Sequence, residues 1–349
     1  MNDTTEEFAD RVFRSALGTT EVLSMYLGDR LGWYRALAEG GPATADELVA
    51  RAGGAPRYAR EWLEHQASSG ILTVDGDGRF VLPAGAAEVL TDTASLNYLA
   101  PLARMLSAAA TQLPALLDAY RTGGGVGWAR FGADMRESQA DMNRPWFEHA
   151  LPGALAGVAD LDEVLRRPGA RIADIGTGAG WSAIALARAY PEATVEGFDV
   201  DPPSIELATA NARAAGLGDR VSFHHADAAG LGERGFDAAF AFECVHDMPH
   251  PVEVLAAIRA AVRPGGPVVV MDEAVNDSFA APGDDTERLM YGFSTLICLP
   301  DGMAHPGSVG TGTVMRPDTL RGYARAAGFG DVEVLPIEDF GFWRFYRLV

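Results

Sequence analysis

Residues 174–180 form a glycine-rich loop between a short apolar segment and a helix-like segment. The loop comprises Asp174, Ile175, Gly176, Thr177, Gly178, Ala179 and Gly180. Glycines let the backbone approach a ligand closely, and open α/β sheets bind ligands beyond the carboxyl ends of their strands. A dinucleotide fingerprint would read Gly-x-Gly-x-x-Gly, whereas position 181 is Trp. The loop therefore predicts a ligand site at a strand end and disfavours a dehydrogenase.

Two carboxylates follow the next two predicted strands. Asp199 ends the second strand, where a carboxylate can accept hydrogen bonds from both ribose hydroxyls. Asp227 follows the third strand, where it can accept from an adenine amino group. The loop alone would be weak evidence, but the loop together with two acids at neighbouring strand ends predicts an adenosine-containing ligand.

A histidine and its neighbours after the fourth strand are the candidate catalytic residues. His246, followed by Asp247, titrates near neutrality and could remove a hydroxyl proton as general base. Two structural alternatives stay open: His246 could cap the following helix or form a hydrogen bond at a domain interface. Glu243 is a second catalytic candidate or an anchor for a substrate amine.

The same segment contains a possible metal-binding pattern. His246, Asp247 and His250 include two histidines at i, i+4 spacing. Pro249 and Pro251 disfavour a regular helix there, because proline lacks the backbone N–H that a helix interior requires. We therefore predict no metal site.

On these motifs the chain resembles the class I S-adenosylmethionine-dependent methyltransferases. The matching segments are 174–180, Asp199, 226–228, 236–248 and the turn 263–266. The resemblance implies a seven-stranded sheet with an antiparallel last strand and S-adenosylmethionine as methyl donor. It places the glycine loop at the methionine part of the donor, Asp199 at the ribose, and Asp227 with Ala228 at the adenine. We also assign Val200 and Phe242 to the cofactor site.

The histidine segment resembles the base segment of plant-like O-methyltransferases, which reads His-Asp-Trp. In this chain Met248 replaces the Trp, and the acidic residues that usually follow are replaced by Pro249, His250 and Pro251. The resemblance implies a general-base role for His246, and the departures from the motif weaken it.

The first 100 residues predict a mainly helical winged-helix domain. An apolar helical face runs from Val22 to Leu37 and ends at 40–42; a capping-box spacing begins at Thr44, and a third helix runs over 56–69. Segments 71–74 and 79–82 then predict a hairpin. The third helix alternates Arg57 and Arg60 with Glu61 and Glu64, so it offers no basic face for DNA. A structural or dimerising role is favoured, and the resemblance implies a homodimer formed through this domain.

The remaining chain predicts an α/β fold. From Arg171, strands alternate with helices, which indicates a parallel sheet covered by helices. With the resemblance, we assign residues 1–100 to the winged-helix domain and 166–349 to a Rossmann-like, seven-stranded methyltransferase domain. Residues 101–165 form a helical connector lining the active site, and 275–315 form an inserted lid.

The substrate pocket is expected between the connector, the lid and the sheet. Aromatic and polar side chains from the connector and the lid are the candidate contacts; they are Trp146, His149, Tyr291 and Cys298.

Composition excludes several classes of chemistry. All 28 basic residues are arginine, against 48 acidic residues and a net charge of −20. Without lysine there is no Schiff-base, P-loop or protein-kinase chemistry. The negative charge disfavours nucleic acid and anionic membranes as partners.

Cysteine content and the N-terminus indicate the compartment. The two cysteines cannot form a disulfide framework, which indicates a reducing, cytoplasmic setting. The N-terminus carries acids where a secretory signal carries bases, and no apolar stretch approaches the roughly 18 residues of a membrane span.

We therefore predict methyl transfer from S-adenosylmethionine to a small-molecule acceptor, at a hydroxyl oxygen. The alternatives are C- or N-methylation of a small metabolite, and a non-catalytic winged-helix regulator that senses a ligand.

Overall fold

The computed structural model describes residues 4–349, and the chain divides into two units, Met1–Ala110 and Thr111–Val349. Residues 1–3, part of the acidic start from which we predicted the absence of a secretory signal, lie outside the described residues. Among residues 4–349, no helix has the length and apolarity that crossing a membrane requires.

The first unit contains six helices and one small hairpin in its described part. Its elements are α1 Thr5–Arg30, α2 Trp33–Gly40, α3 Ala45–Ala52, α4 Pro56–Ser68, β1 Thr73–Val74, β2 Phe80–Val81, α5 Ala84–Thr91 and α6 Ala100–Thr111. The predicted third helix and hairpin are present, although each strand of the hairpin has only two residues.

The single helix predicted from Val22 to Leu37 is wrong, because the chain turns at Gly32. Gly32 has φ +69°, a left-handed conformation that glycine adopts without a Cβ clash. The turn separates α1 from α2 and lets α2 bury Trp33 and Tyr34, whose rings both make edge contacts with Trp62. The apolar spacing predicted the buried face correctly but not the change of direction.

The predicted capping box is confirmed at the start of α3. The Thr44 hydroxyl accepts from the Glu47 backbone N–H at 3.3 Å, and the Glu47 carboxylate accepts from the Thr44 backbone N–H at 2.8 Å. Both of these orphan N–H groups at the helix N-terminus are thereby satisfied.

The second unit begins with helices and continues as alternating strands and helices. Its elements are α7 Leu113–Thr122, α8 Gly132–Pro145, α9 Leu151–Ala156, α10 Ala159–Leu165, β3 Arg171–Ile175, α11 Trp181–Ala189, β4 Thr194–Asp199, α12 Pro202–Ala214, β5 Val221–His225, β6 Ala238–Phe242, α13 Pro251–Ala261, β7 Val268–Glu273, α14 Asp285–Phe293, α15 Leu299–Gly302, α16 Pro317–Ala326, β8 Val332–Val334 and β9 Trp343–Leu348. Two π-helical turns, Trp146–Ala150 and Ser294–Cys298, continue α8 and α14.

The seven strands have the spatial order β5-β4-β3-β6-β7-β9-β8, and β9 is antiparallel to both of its neighbours. From β3 the chain proceeds outward through β4 and β5, then returns to place β6 on the other side of β3. The carboxyl ends of β3 and β6 therefore flank the point where the connections reverse, which is where open α/β sheets form their ligand crevice.

Helices cover both faces of this sheet, and the core is divided accordingly. Ile172 of β3 packs in one cluster, with helices α9 to α11, whereas Ala173 and Ile175 pack in the opposite cluster, with α13 and α16. All residues of β6 and β7 are buried, as expected for strands covered on both faces. The predicted fold class, a Rossmann-like seven-stranded sheet with an N-terminal winged-helix unit, is confirmed.

Candidate functional site

The glycine loop that follows β3 is held in shape by the buried carboxylate of Asp174. Its Oδ2 accepts hydrogen bonds from the Thr177 and Ser182 hydroxyls, each at 2.6 Å. Burial raises the pKa of Asp174 to about 6, although the two hydroxyl donors favour the charged form. Asp174 and Thr177 therefore shape the loop through contacts inside the protein.

The three loop glycines have positive φ but different surroundings. A Cβ at Gly176 would lie 2.7 Å from Cys244, and one at Gly180 would lie 2.6 Å from the Phe223 ring. At Gly178, with φ +52°, a Cβ would meet no atom within 4 Å. Gly176 and Gly180 are thus required for packing, and Gly178 is the position where the backbone faces open space.

This difference gives a stability prediction. Gly180→Ala is expected to destabilise the fold by about 2–3 kcal/mol, because left-handed strain of roughly 1 kcal/mol adds to overpacking against Phe223. Gly178→Ala is the matched control and is expected to lose only about 1 kcal/mol. Urea unfolding of both variants measures the difference, and equal losses would contradict the packing role of Gly180.

Asp199, at the end of β4, binds the glycine loop through a backbone hydrogen bond. Its Oδ2 accepts from the Gly178 N–H and its Oδ1 from the Asp201 N–H, both at 2.8 Å. Burial raises the pKa of Asp199, although the backbone donors favour its charged form. The predicted cofactor acid thus lies directly against the one loop glycine that faces open space.

The other predicted cofactor residues lie near the neighbouring strand ends. Val200 is exposed, and Asp227 is exposed with its carboxylate accepting from the Ala229 N–H at 2.9 Å. Ala228 is buried, and Phe242 is buried in a stack with Phe240. Asp227 is available to a ligand, whereas Phe242 forms part of the wall of a cavity.

A cavity of about 90 Å³ lies between the glycine loop and α8. The loop contributes residues 176–179, β6 contributes Phe242 with Glu243 directly after it, and α8 contributes Arg136, Gln139 and Asn143. Arg136, Gln139 and Asn143 recur at intervals of three and four residues, so they share one face of the helix. The sequence-based prediction placed the connector at the pocket but did not name these three residues as contacts, which this spacing could have identified.

Glu243 is the ionisable residue with the most unusual backbone at this cavity. It has φ +53°, a left-handed conformation that costs a non-glycine residue of order 1–3 kcal/mol and is concentrated at functional sites. Its Oε2 accepts from Asn143 Nδ2 at 2.5 Å and from Gln139 Nε2 at 3.1 Å. Burial, reinforced by the negative charge of Glu273, raises the pKa of Glu243 to about 8.

Arg136, which lines the cavity, is neutralised by an ion pair. Arg136 Nε and Nη2 donate to the two oxygens of Asp201 at 2.6 and 3.2 Å, and both side chains are largely buried. Burial alone would raise the pKa of Asp201, but the Arg136 guanidinium holds it below its usual range. The Arg136 guanidinium is therefore committed to Asp201 and is not paired with Glu243.

His246 is buried within a cluster of acids and is not among the residues that line the cavity. Its Nδ1 is 2.8 Å from Asp272 Oδ1 and 3.2 Å from Glu273 Oε2, and its Nε2 is 3.3 Å from Asp247 Oδ1. Burial lowers the pKa of His246, but the three carboxylates outweigh burial and raise it well above its usual value.

Asp272 and Glu273 were not predicted as site residues. Both are the last residues of β7. They contact His246, which lies in the connection that follows the neighbouring strand β6. Their position as two acids at a strand end was the one feature of the sequence that could have identified them as site residues. The partner that sequence spacing suggested for His246, His250, is not part of either His246-centred group of metal-ligand atoms among the described residues.

The predicted substrate residues of the connector, Trp146 and His149, do not lie at the cavity. Trp146 is partly buried and packs against Phe340 and Trp343, away from the residues that line the cavity. His149 is exposed and does not line the cavity either, so the substrate contacts of both residues stay predictions. Phe147, four residues after Asn143, lines the cavity instead.

The lid residues have different positions. Tyr291, on α14, is exposed and its hydroxyl accepts from Arg316 at 3.3 Å. Cys298, in the π-helical turn after α14, lies with His246 and Asp247, the ligand-type atoms of the three being within 4.8 Å of one another. The inserted segment therefore reaches the histidine cluster through Cys298.

The inserted segment also contacts the glycine-rich break that precedes α8. The Val126 N–H donates to the Pro300 carbonyl at 2.8 Å, and the Trp128 N–H donates to Asp301 Oδ1 at 2.6 Å. A Cβ at Gly125 would lie 2.1 Å from the Ala304 backbone nitrogen, so glycine is required there.

Asp301 gives a prediction of pH-dependent stability. Burial and the charge of Asp247 raise the pKa of Asp301 to about 7 from 3.8, so the parent loses stability as pH rises from about 4 to about 7. Asp301→Asn keeps an oxygen for the Trp128 N–H but carries no charge. The free energy of unfolding of the variant minus that of the parent is therefore expected to increase by at least about 1.4 kcal/mol between pH 4 and pH 8. Thermal unfolding at both pH values measures the gain, and a pH-independent difference would contradict it.

The fold and the site together define a class of protein. A parallel sheet closed by an antiparallel β9, a glycine loop after β3, and acids after the next two strands form the methyltransferase type of Rossmann-like domain.

Comparison with known families agrees with this class. Residues 172–266 match the methyltransferase domain family, and residues 19–92 match the Rv2258c-like winged HTH domain family. The chain therefore contains a methyltransferase domain preceded by a winged helix-turn-helix domain.

Two curated relatives match part of the chain. The 27-O-demethylrifamycin SV methyltransferase of Amycolatopsis mediterranei is 33% identical over 160 residues, which are 44% of this chain and 57% of that protein. The methyltransferase GfsG of Streptomyces halstedii is 35% identical over 151 residues, 42% of this chain and 53% of that protein. The chain thus spans little more than half the length of these relatives.

Solved structures resemble the whole chain at lower identity. Human N-acetylserotonin methyltransferase, solved in complex with SAM, has a TM-score of 0.73 with 17% identity, and the match covers 100% of this chain and 99% of that one. The mitomycin 7-O-methyltransferase MmcR also has a TM-score of 0.73, with 22% identity and coverage of 98% and 96%. At these identities the likeness shows a shared fold.

Proposed function

We propose that the chain transfers a methyl group from S-adenosylmethionine to a small-molecule acceptor, at a hydroxyl oxygen. One observation carries the proposal: the open backbone at Gly178 and the carboxylate of Glu243 share one cavity where the sheet connections reverse. The methyltransferase domain match supports the reaction class. The names of the similar rifamycin and mitomycin methyltransferases support a small-molecule acceptor and an oxygen target.

The residues present suit a cationic, adenosine-containing donor. Gly178 leaves space where a side chain would intrude, and Asn143 Oδ1 is a buried acceptor without a hydrogen-bond partner among the described residues. Glu243 lines the cavity, Asp199 is bound to the loop at Gly178, and the lining residue Arg136 is paired with Asp201. S-adenosylmethionine supplies an activated methyl group on a positively charged sulfur. We propose that the loop, Asp199, Val200, Asp227, Ala228 and Phe242 hold it.

We propose that Glu243 accepts the proton of the acceptor hydroxyl. Its carboxylate lines the cavity. Gln139 and Asn143 both donate to one of its oxygens and so hold the side chain in a fixed position there. Positioned general bases of this kind contribute about 100- to 10,000-fold to a rate. His246, with Asp247, remains the second hypothesis for the base; its position behind the cavity favours a supporting role.

The test begins with the unmodified chain. Calorimetric titration with S-adenosylmethionine and S-adenosylhomocysteine is expected to give one site per chain. Transfer of tritiated methyl from the donor is then measured with separate panels of phenols, aliphatic alcohols, amines and carbon nucleophiles. Product in the hydroxyl panels supports the proposal, product only in the amine or carbon panels supports the N- or C-methylation alternative, and absence of donor binding overturns the enzyme assignment.

The regulator alternative receives no support from the winged-helix unit. On α4, Arg57 pairs with Glu61 and Arg60 pairs with Glu64, so the helix that would contact DNA is neutral along its exposed face. We propose that this unit has a structural role, that nucleic acid and membranes are not partners, and that the chain is cytoplasmic.

We also propose that the chain is a homodimer formed through α1. This 26-residue helix exposes large apolar side chains to solvent; they are Phe8, Val12, Phe13, Leu17, Leu23 and Leu27. Contiguous exposed apolar surface of this kind marks protein interaction sites. Sedimentation is expected to give twice the 37.0 kDa mass of one chain, and Phe13→Glu with Leu17→Glu is expected to give the monomer. A monomeric parent at micromolar concentration would contradict the proposal.

A further inference from the structure

We propose that His246 Nδ1, Asp272 and Glu273 form a binding site for one divalent cation. The site lies at the carboxyl end of β7, behind the cavity, and is separate from the residues proposed to bind the methyl donor. It goes beyond the proposed methyl transfer and does not depend on it. It also replaces the sequence-based prediction of no metal.

The geometry of the three side chains suits a shared ion. The ligand-type atoms of His246, Asp272 and Glu273 all lie within 4.8 Å of one another. Nδ1 is 2.8 Å from Asp272 Oδ1 and 3.2 Å from Glu273 Oε2. Imidazole and carboxylate ligands bind divalent metals at about 2.0–2.2 Å, which places pairs of ligand atoms about 3 Å apart around the ion. Small side-chain movements would therefore bring all three to bonding distance.

Unpartnered oxygens at this position need a donor or a cation. Asp272 Oδ2 is buried and has no hydrogen-bond partner in residues 4–349, and the buried Glu273 Oε2 has its 3.2 Å ion pair with His246 Nδ1 but no hydrogen bond of good geometry there. Asp272 is 1% exposed and Glu273 is 3% exposed, so bulk solvent does not satisfy these atoms. Buried carboxylate oxygens without partners are costly, and coordination of a metal ion removes that cost.

The charges around His246 are also unbalanced. Three carboxyl groups, those of Asp247, Asp272 and Glu273, contact one imidazole. Arg344 is opposite Asp272 in the β7–β9 pair, but its guanidinium donates to the Val275 carbonyl and the Tyr346 hydroxyl instead. In the part of the chain that the structure describes, His246 is the one basic side chain in contact with Asp272 and Glu273. A divalent cation would correct this excess of negative charge.

The ligand types indicate which ion fits. One imidazole nitrogen and two carboxylates suit Mn²⁺ or Zn²⁺, and three protein ligands leave further coordination positions open. A competing set, His246 with Asp247 and Cys298, lies on the other side of the imidazole. That set has the softer thiol ligand. The Nδ1 set is favoured because both of its carboxylates are almost fully buried, whereas the Asp247 side chain is partly exposed.

Mn²⁺ is the probe for the test. The full chain is stripped with a chelator and titrated with Mn²⁺, and the free ion is followed by the amplitude of its electron paramagnetic resonance signal. One saturable site per chain is expected. The Asp272→Asn and Glu273→Gln variants are each expected to weaken binding at least tenfold, whereas Cys298→Ser and the exposed control Asp285→Asn are expected to bind as the parent does.

Three results would overturn the site: no saturable binding, binding unchanged in both carboxylate variants, or binding lost in Cys298→Ser but kept in Asp272→Asn. Should a carboxylate variant fail to fold, anomalous diffraction at the manganese edge from crystals of the parent locates the ion directly. Density beside His246 Nδ1 is expected, and density elsewhere would contradict the assignment. Titration with S-adenosylhomocysteine in the presence of chelator tests donor binding separately from the cation site.

Discussion

Glu243→Gln is expected to reduce the rate of methyl transfer by about 100- to 10,000-fold while leaving donor affinity within a few fold of the parent. The amide keeps the size of the carboxylate and an oxygen that can accept from Asn143 and Gln139. It cannot accept a proton from the acceptor hydroxyl, and general-base catalysis contributes about this factor. Single-turnover transfer of labelled methyl to the acceptor found in the panel screen measures the loss.

Two comparisons make this result specific. Glu253→Gln changes an exposed glutamate on α13 and is expected to retain the parental rate. His246→Gln tests the second hypothesis for the base. If the Glu243 variant retains its turnover and the His246 variant loses it, the proton is accepted by His246 and the role assigned to Glu243 is wrong.

Asp199→Ala is expected to weaken binding of S-adenosylhomocysteine at least 100-fold. The substitution removes the oxygen that accepts from the Gly178 N–H, so the loop loses its anchor at the position that faces open space. It also removes the acceptor of the Asp201 N–H and the carboxylate proposed to bind the ribose. Hydrogen bonds to a charged group contribute about 1.5–3 kcal/mol each, and two of them exceed a factor of 100.

Calorimetry measures this loss. The matched control is Asp219→Ala, which removes an exposed aspartate in the turn before β5 and is expected to bind as the parent does. Thermal unfolding of the Asp199 variant is recorded in parallel, because a global loss of structure would also abolish binding. A folded Asp199 variant with parental affinity would contradict the placement of the donor.

Several parts of the fold could be predicted from local patterns. β3 begins at Arg171 and β4 ends at Asp199, as the sequence predicted, because turn residues flank both short strands. The capping box at Thr44 was also predicted from spacing alone. These features depend on residues close to one another in the chain.

Other parts of the site could not be predicted in this way. Trp146 and Phe147 are adjacent in sequence, yet one packs in the core and the other lines the cavity, because the π-helical turn and the packing of α8 on the sheet select the face. An aromatic side chain fits either environment, so residue type gave no means to choose between them.

By itself the sequence determined the class of fold, the glycine loop and the strand-end acids, because periodicity, turn residues and short spacings encode them locally. Its lack of lysine also excluded whole classes of chemistry without any structure. Only the tertiary structure decided which side chains meet. It placed Gln139 and Asn143 on Glu243, and it placed Asp272 and Glu273 on His246, 26 and 27 positions away. The physical reason is that sheet order and helix packing bring distant residues together, and no local pattern carries that information.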